Sequence, residues 1–212
     1  MLFRSYGGDG DDTINLENSI PKTMSTTLNG GTGRNVVNGG PSKDFISTSY
    51  GSAGSVLRGG GGVNLIYAND RVTAIGGPDT DHFHIGNVCQ GSKLVGNAGN
   101  DSIVFAGASR GVKADLGRRY ARWKNGSCAA ATTFSPDIER LEGSRFGDWL
   151  IIGRRHRAQQ GKSSLLGREG VDILDSKNGR QDTVTTGSEG HRNKVIRDRK
   201  DKVVWGWGLA AF

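Results

Sequence analysis

The most constraining feature of this chain is a nine-residue beat of apolar residues. Leu28, Val37, Ile46, Leu57, Ile66, Ile75, Ile85, Leu94 and Ile103 follow one another at intervals of 9, 9, 11, 9, 9, 10, 9 and 9 residues. An amphipathic helix needs intervals of three and four, which this stretch lacks. Nine residues make one short strand plus one turn, and two such units make a coil of about 18 residues. Stacked coils give two parallel sheets with the apolar residues between them. Parallel strands normally need a long crossover; here the other half of the coil is the return path.

Composition agrees with that architecture. Glycine supplies 35 of 212 residues and apolar types only 34%, against roughly 7% and about 45–50% (the latter counted with Gly) in ordinary globular domains. No Gly-X-Y period runs through the chain, so a collagen helix is excluded. A chain this poor in apolar residues can fill a thin core repeatedly but not a thick one. No stretch of 18 apolar residues offers a membrane span. No apolar leader segment follows Met1, and the chain reads as a fragment or accessory module of a longer protein.

The turns carry their own signature. Gly7-Gly8-Asp9-Gly10-Asp11-Asp12-Thr13-Ile14-Asn15 fits G-G-x-G-x-D-x-U-x, where U is a large apolar residue. Weaker copies begin at Gly30, Gly39, Gly59, Gly76, Gly96, Gly143 and Gly167. The pattern resembles the RTX, or haemolysin-type calcium-binding repeat, family. A further stretch, Val112-Lys113-Ala114-Asp115-Leu116 followed by Asp137-Ile138-Glu139-Arg140-Leu141-Glu142-Gly143-Ser144, looks like a degenerate segment that interrupts such arrays. The resemblance implies an all-β, parallel β-roll, or β-solenoid, degenerate in its second half. It divides the chain into a non-native or leader remnant at 1–6, an array at 7–107 and an irregular β insertion at 108–142. A solenoid continuation with a C-terminal cap follows at 143–212. Apolar anchors in that continuation are Ile151, Leu165, Leu174, Val184, Val195 and Val204.

The resemblance also implies Ca2+ as cofactor, held by the position-6 residues Asp12, Asp44, Asn64, Asp81, Asp101, Asp148 and Asp172 together with turn carbonyls. Calcium takes six to eight hard oxygens of those kinds. Stacked carboxylates about 5 Å apart repel by roughly 3 kcal/mol at an effective dielectric near 20, and an ion between them removes that penalty. Alternating the anchors puts Asp44, Asn64, Asp81 and Asp101 on one edge, with Asp81 and Asp101 the best pair. The opposite edge of the array offers only Asn35. The competing reading is that Gly and Asp serve turn geometry alone.

The implied protein is a non-enzymatic, secreted, calcium-binding module. The alternatives are an extracellular polyanion- or glycan-binding module and the C-terminal remnant of a secreted enzyme such as a protease or lipase. Gly107-Ala108-Ser109-Arg110-Gly111 fits G-x-S-x-G, but a strand rather than a helix follows it, which excludes a nucleophile elbow. Charge bears on the polyanion reading. Net charge is +7, and residues 1–110 hold eight Lys/Arg against nine Asp/Glu, so the whole excess lies in the second half. Arg118, Arg119 and Arg122, interleaved with Tyr120 and Trp123, are the candidate surface for an acidic polysaccharide. Arg154, Arg155 and Arg157 form a second basic cluster. No recognition motif argues for nucleic acid. His82 and His84 share a strand face without a third metal ligand beside them, and Trp205 and Trp207 suggest a cap on the solenoid end. Cys89 and Cys128 allow at most one disulfide.

Overall fold

The computed structural model describes residues 2–16, 20–156, 162–188 and 192–206. These residues form twenty-one short strands and no α-helical element. The first seven are β1 (Leu2–Tyr6), β2 (Thr13–Asn15), β3 (Ser25–Asn29), β4 (Val36–Asn38), β5 (Asp44–Ser47), β6 (Val56–Arg58) and β7 (Leu65–Tyr67). Next come β8 (Thr73–Ile75), β9 (His82–His84), β10 (Lys93–Val95), β11 (Asp101–Val104), β12 (Val112–Asp115), β13 (Tyr120–Trp123) and β14 (Thr132–Phe134). The last are β15 (Ile138–Glu142), β16 (Trp149–Ile151), β17 (Ser164–Leu166), β18 (Ile173–Asp175), β19 (Thr183–Thr185), β20 (Lys194–Ile196) and β21 (Lys202–Val204). Among the described residues no helix is long and apolar enough to cross a membrane.

Successive strands alternate between two sheets, as the nine-residue beat requires. The first sheet has the order β1-β3-β5-β7-β9-β11-β15-β17-β19-β21, and the second β2-β4-β6-β8-β10-β14-β13-β12-β16-β18-β20. All neighbours pair in parallel except β12–β13 and β13–β14. The chain is therefore a β-solenoid. Its coils are uneven: equivalent turn residues Asp44, Asn64, Asp81 and Asp101 lie 20, 17 and 20 residues apart.

Each three-residue strand turns one side chain inward and two outward. Inward residues register coil on coil: Leu28 with Ile46, Ile66 with Phe83 and Phe83 with Ile103 in one sheet, Val37 with Leu57 and Ala74 with Leu94 in the other. All are fully buried. Four anchors differ from those expected from the spacing. Ile75 belongs to the outer face of β8 and Ala74 points inward, while Phe83, not Ile85, is the inward residue of β9. Small Ala74 and large Phe83 follow each other on opposite walls, so volume lost at one is restored at the other. Ile85 is buried too, but at the corner just past β9, where its N–H donates to the Val104 carbonyl at 3.0 Å. Leu150 likewise replaces Ile151, and Val203 rather than Val204 packs against the core.

The interruption after β11 takes a definite form. β12, β13 and β14 make an antiparallel meander laid into the second sheet between β10 and β16. The first sheet passes straight from β11 to β15, with a register shift at Asp101/Ser102. A disulfide joins Cys89, just before β10, to Cys128 in the meander. At the other end, Leu2–Tyr6 pairs along its whole length with β3.

Candidate metal centre

The position-6 side chains form a ladder along the edge of the first sheet. Each reaches across one coil boundary and accepts the backbone N–H of its counterpart. The Asp44 N–H donates to Asn64 Oδ1 at 3.0 Å, Asn64 N–H to Asp81 Oδ1 at 2.9 Å and Asp81 N–H to Asp101 Oδ1 at 2.8 Å. Asp101 N–H donates to Glu139 Oε2 at 2.9 Å, which carries the ladder across the interruption. The second carboxylate oxygen closes its own turn: Asp44 Oδ2 accepts from Gly40 N at 2.8 Å and Asp81 Oδ2 from Gly77 N at 2.6 Å. Thr26 Oγ1 donates to Asp44 Oδ1.

A second ladder runs along the edge of the other sheet, and three of the seven candidates belong to it. Asp12 N–H donates to Asn35 Oδ1 at 2.8 Å, and Asn35 N–H to Ser55 Oγ at 2.8 Å. Beyond the meander, Val112 N–H donates to Asp148 Oδ1 at 2.7 Å, Asp148 N–H to Asp172 Oδ1 at 2.8 Å and Asp172 N–H to Asn193 Oδ1 at 2.6 Å. The structure thus separates Asp12, Asp148 and Asp172 from Asp44, Asn64, Asp81 and Asp101. Back on the edge of the first sheet, two further rungs carry no glycine pair and are not marked by the repeat pattern: Ser163 N–H donates to Asp182 Oδ1 at 2.9 Å and Asp182 N–H to Asp201 Oδ1 at 3.0 Å, ahead of β17, β19 and β21. Both stand two residues before an inward Val, the offset that all the position-6 acids share.

Burial of these carboxyls is electrostatically costly. Asp44, Asp81, Asp101, Asp148 and Asp172 are fully buried. Desolvation is the leading cause that lifts Asp81 and Asp148 to about 6 and Asp101 and Asp172 to about 8. At Asp101 the charges of Asp81, Glu139 and Asp137 push the same way, against the hydrogen bond from Asp81 N–H. Asp12, Asp101 and Asp172 each keep one buried carboxylate oxygen without a hydrogen-bond partner among the described residues. Buried polar atoms are nearly always paired, so three orphans of one type at one position are a chemical signal.

What surrounds those oxygens is equally specific. The first glycine of each turn lies where a carboxylate oxygen of its own turn meets a main-chain carbonyl of the next coil. A methyl group at Gly76 would stand closer than 3 Å to both Asp81 Oδ2 and Gly96 O, one at Gly96 to Asp101 Oδ2 and Asp137 O, and one at Gly167 to Asp172 Oδ2 and Thr186 O. Glycine is needed here for close approach. Among the described residues no three His, Cys, Asp or Glu side chains converge, so any ion would draw mostly on carbonyls and single carboxylates. That set of hard oxygens suits calcium and does not suit a transition metal. His82 and His84 lie on the outer face of β9, where His82 Nδ1 bonds Ser102 Oγ at 2.6 Å and His84 stacks on Tyr67 at 4.7 Å.

The basic cluster is divided. Arg118 and Arg119 lie in the turn between β12 and β13, whereas Arg122 is on the outer face of β13, 5.8 Å over the Tyr120 ring and in register with Lys113. Trp205 is 48% exposed; Arg157 and Trp207 lie outside the described residues.

Residues 6–18 and 24–49 match the family model of the RTX calcium-binding nonapeptide repeat, in four copies. No curated protein and no solved structure matches the chain. The matched residues hold the turns at Gly7, Gly30 and Gly39, on both edges; the pairs Asp81–Asp101 and Asp148–Asp172 continue the same ladders outside them. The chain is thus a β-solenoid whose first coils carry RTX calcium-binding nonapeptide repeats.

Proposed function

We propose that this is a non-enzymatic calcium-binding β-roll module of a secreted protein, in which Ca2+ between successive Gly/Asp turns drives folding and stability. The observation that carries the reading is the row of buried and half-buried position-6 carboxyls, three with an orphaned oxygen, each of those beside a carbonyl of the neighbouring coil. Asp81 with Asp101 on one edge and Asp148 with Asp172 on the other would hold the ions. When bound, calcium supplies the positive charge that these carboxyls otherwise obtain from protons, so metal binding and folding become one equilibrium. The Cys89–Cys128 disulfide supports export, since such bonds persist in oxidising compartments.

The test compares the chelated and calcium-loaded protein by circular dichroism and thermal unfolding. Calcium should raise both β-structure and melting temperature. Replacing Asp81 and Asp101 together by Asn, which keeps the ladder acceptor, should remove most of that response, and Asp12→Asn should remove less. No calorimetric heat at millimolar calcium would leave the turns a purely geometric device.

A further inference from the structure

Two turns meet beside the meander. The β12–β13 turn, with Gly117, Arg118 and Arg119, abuts the turn that follows β16, with Gly153, Arg154 and Arg155. A methyl group at Gly117 would lie 3.3 Å from Gly153 Cα, and Gly153 itself has φ of 75°. Only glycine allows this approach with that backbone, and the approach sets four guanidinium groups around one cleft of about 830 Å³. Leu116 and Pro136 contribute its apolar wall. Arg119 holds φ of 62°, uncommon for a residue with a side chain, and its N–H donates to the Asp115 carbonyl at 2.7 Å.

Charge in the cleft is unbalanced. Asp115 is the one carboxylate among the lining residues, and Arg118 already engages it, through its N–H at 2.9 Å and its Nε at 3.8 Å. Arg119, Arg154 and Arg155 enter no ion pair among the described residues; Asp198 feels the charge of Arg154 from outside the cleft. His156 completes the wall. It is 3% exposed, and neither ring nitrogen has a hydrogen-bond partner among the described residues. Burial first, then the charge of Arg180, lowers its pKa to about 4, so the ring is neutral and offers one donor and one acceptor.

We propose that this cleft binds an acidic saccharide through its sulfate, phosphate or carboxylate groups, a site separate from the calcium ladders and independent of the calcium reading. Guanidinium forks match such oxyanions bidentately. The volume is that of a site for an extended ligand, far above the roughly 30 Å³ share of one water. The single aromatic ring among the lining residues, His156, is 3% exposed and presents no open face on which a nucleobase could stack.

The experiment titrates the full calcium-loaded chain, by calorimetry, with a heparin-derived tetrasaccharide and separately with sodium sulfate. Arg154→Ala with Arg155→Ala, and Arg118→Ala with Arg119→Ala, should each weaken tetrasaccharide binding by about tenfold or more. Arg122→Ala, on the outer face, should change it by less than about twofold. Sulfate bound as tightly as the tetrasaccharide, and lost in the same pairs, would assign the cleft to the free ion. Absence of binding, or equal losses in Arg122→Ala and the cleft pairs, would overturn the site; retained circular dichroism and melting temperature in each variant separate that result from misfolding.

Discussion

Asp101→Asn should act in opposite directions with and without calcium. In the metal-free chain Asp101 is fully buried, one of its oxygens has no partner, and its pKa is lifted from 3.8 to about 8. At neutral pH that gap corresponds to about 4 kcal/mol of lost stability; halved for solvent screening at the edge of the solenoid, about 2 kcal/mol remains. Asparagine keeps the Oδ1 that accepts from Asp81 N–H, and it places an amide N–H2 where the orphan oxygen faces the Asp137 carbonyl gathered over Gly96. The chain already contains such rungs. Asn64 accepts from Asp44 N–H while its Nδ2 donates to Gly62 O at 3.1 Å, and Asn35 Nδ2 donates to Thr32 O at 3.0 Å. The variant should therefore be more stable than the parent in chelator, with a urea midpoint higher by roughly 1 M for a slope near 2 kcal/mol/M. In saturating calcium the order should reverse, because a ligand charge has gone. Urea titrations followed by circular dichroism in both buffers read this directly. Destabilisation in chelator would refute the reasoning, and an unchanged calcium response would remove Asp101 from the ligands.

In metal-free buffer the acids make stability fall with pH. Asp101 and Asp172 at about 8, and Asp81 and Asp148 at about 6, hold protons that the unfolded chain releases near 3.8, so stability is fullest below about pH 4 and is lost as pH rises through 6 and then 8. His156, lowered to about 4, opposes this between about 4 and 6.5, as do His82 and His84, also lowered by burial, while Asp44, Asp115 and Asp182, raised by burial, add to the four acids; urea midpoints across that range check the slope, and calcium added at neutral pH should release protons in a pH-stat. Reducing the Cys89–Cys128 bond, or replacing both residues by Ser, opens a span of 39 residues and should cost about 4 kcal/mol on loop entropy, measured by denaturant midpoint. Gly76→Ala places a methyl against Asp81 Oδ2 and the Gly96 carbonyl and should lower stability by about 1–3 kcal/mol, more in chelator-free calcium buffer than in chelator if the same oxygens hold the ion.

The two-sheet solenoid was legible because turn and strand share one period, and a period survives substitutions that blur any single repeat. Anchor identity was less legible. Ile75 and Ile85 outrank Ala74 and Phe83 on hydrophobicity or spacing, yet inward position is fixed by strand register, which the outer residues Thr73 and His82 do not advertise. The carboxyl ladder was half visible: glycine marks turns with close main-chain approach, so Asp182 and Asp201, in turns without that glycine pair, carried no flag. The split of candidates between two edges was not marked by residue type: Asp12 stands ahead of β2 and Asp148 and Asp172 ahead of β16 and β18, all in the second sheet, whereas Asp44, Asn64, Asp81 and Asp101 stand at or just before the start of strands of the first. Cys89 and Cys128 could not be paired from spacing, since the meander alone brings them together. Arg118 and Arg122 are four residues apart in sequence, but the hairpin between β12 and β13 sends one to a turn and the other to a sheet face.

A stack of coils is a one-dimensional chain of nearest-neighbour couplings, and such a chain parts at its weakest link. That link is the meander, where β10–β14 and β13–β14 contribute two registered residue pairs each at successive positions of one sheet, whereas the other two-pair contact, β5–β7, stands alone among neighbours with three or more. Coils on either side can fold or open as separate cooperative blocks, coupled mainly through β11–β15 on the other sheet. The covalent bond from Cys89 to Cys128, with the Gln90–Ala130 bridge beside it, spans that same seam. Pulled from its ends, the oxidised solenoid should yield coil by coil from the termini and stop at the clasp, whereas the reduced one should break in two at the middle.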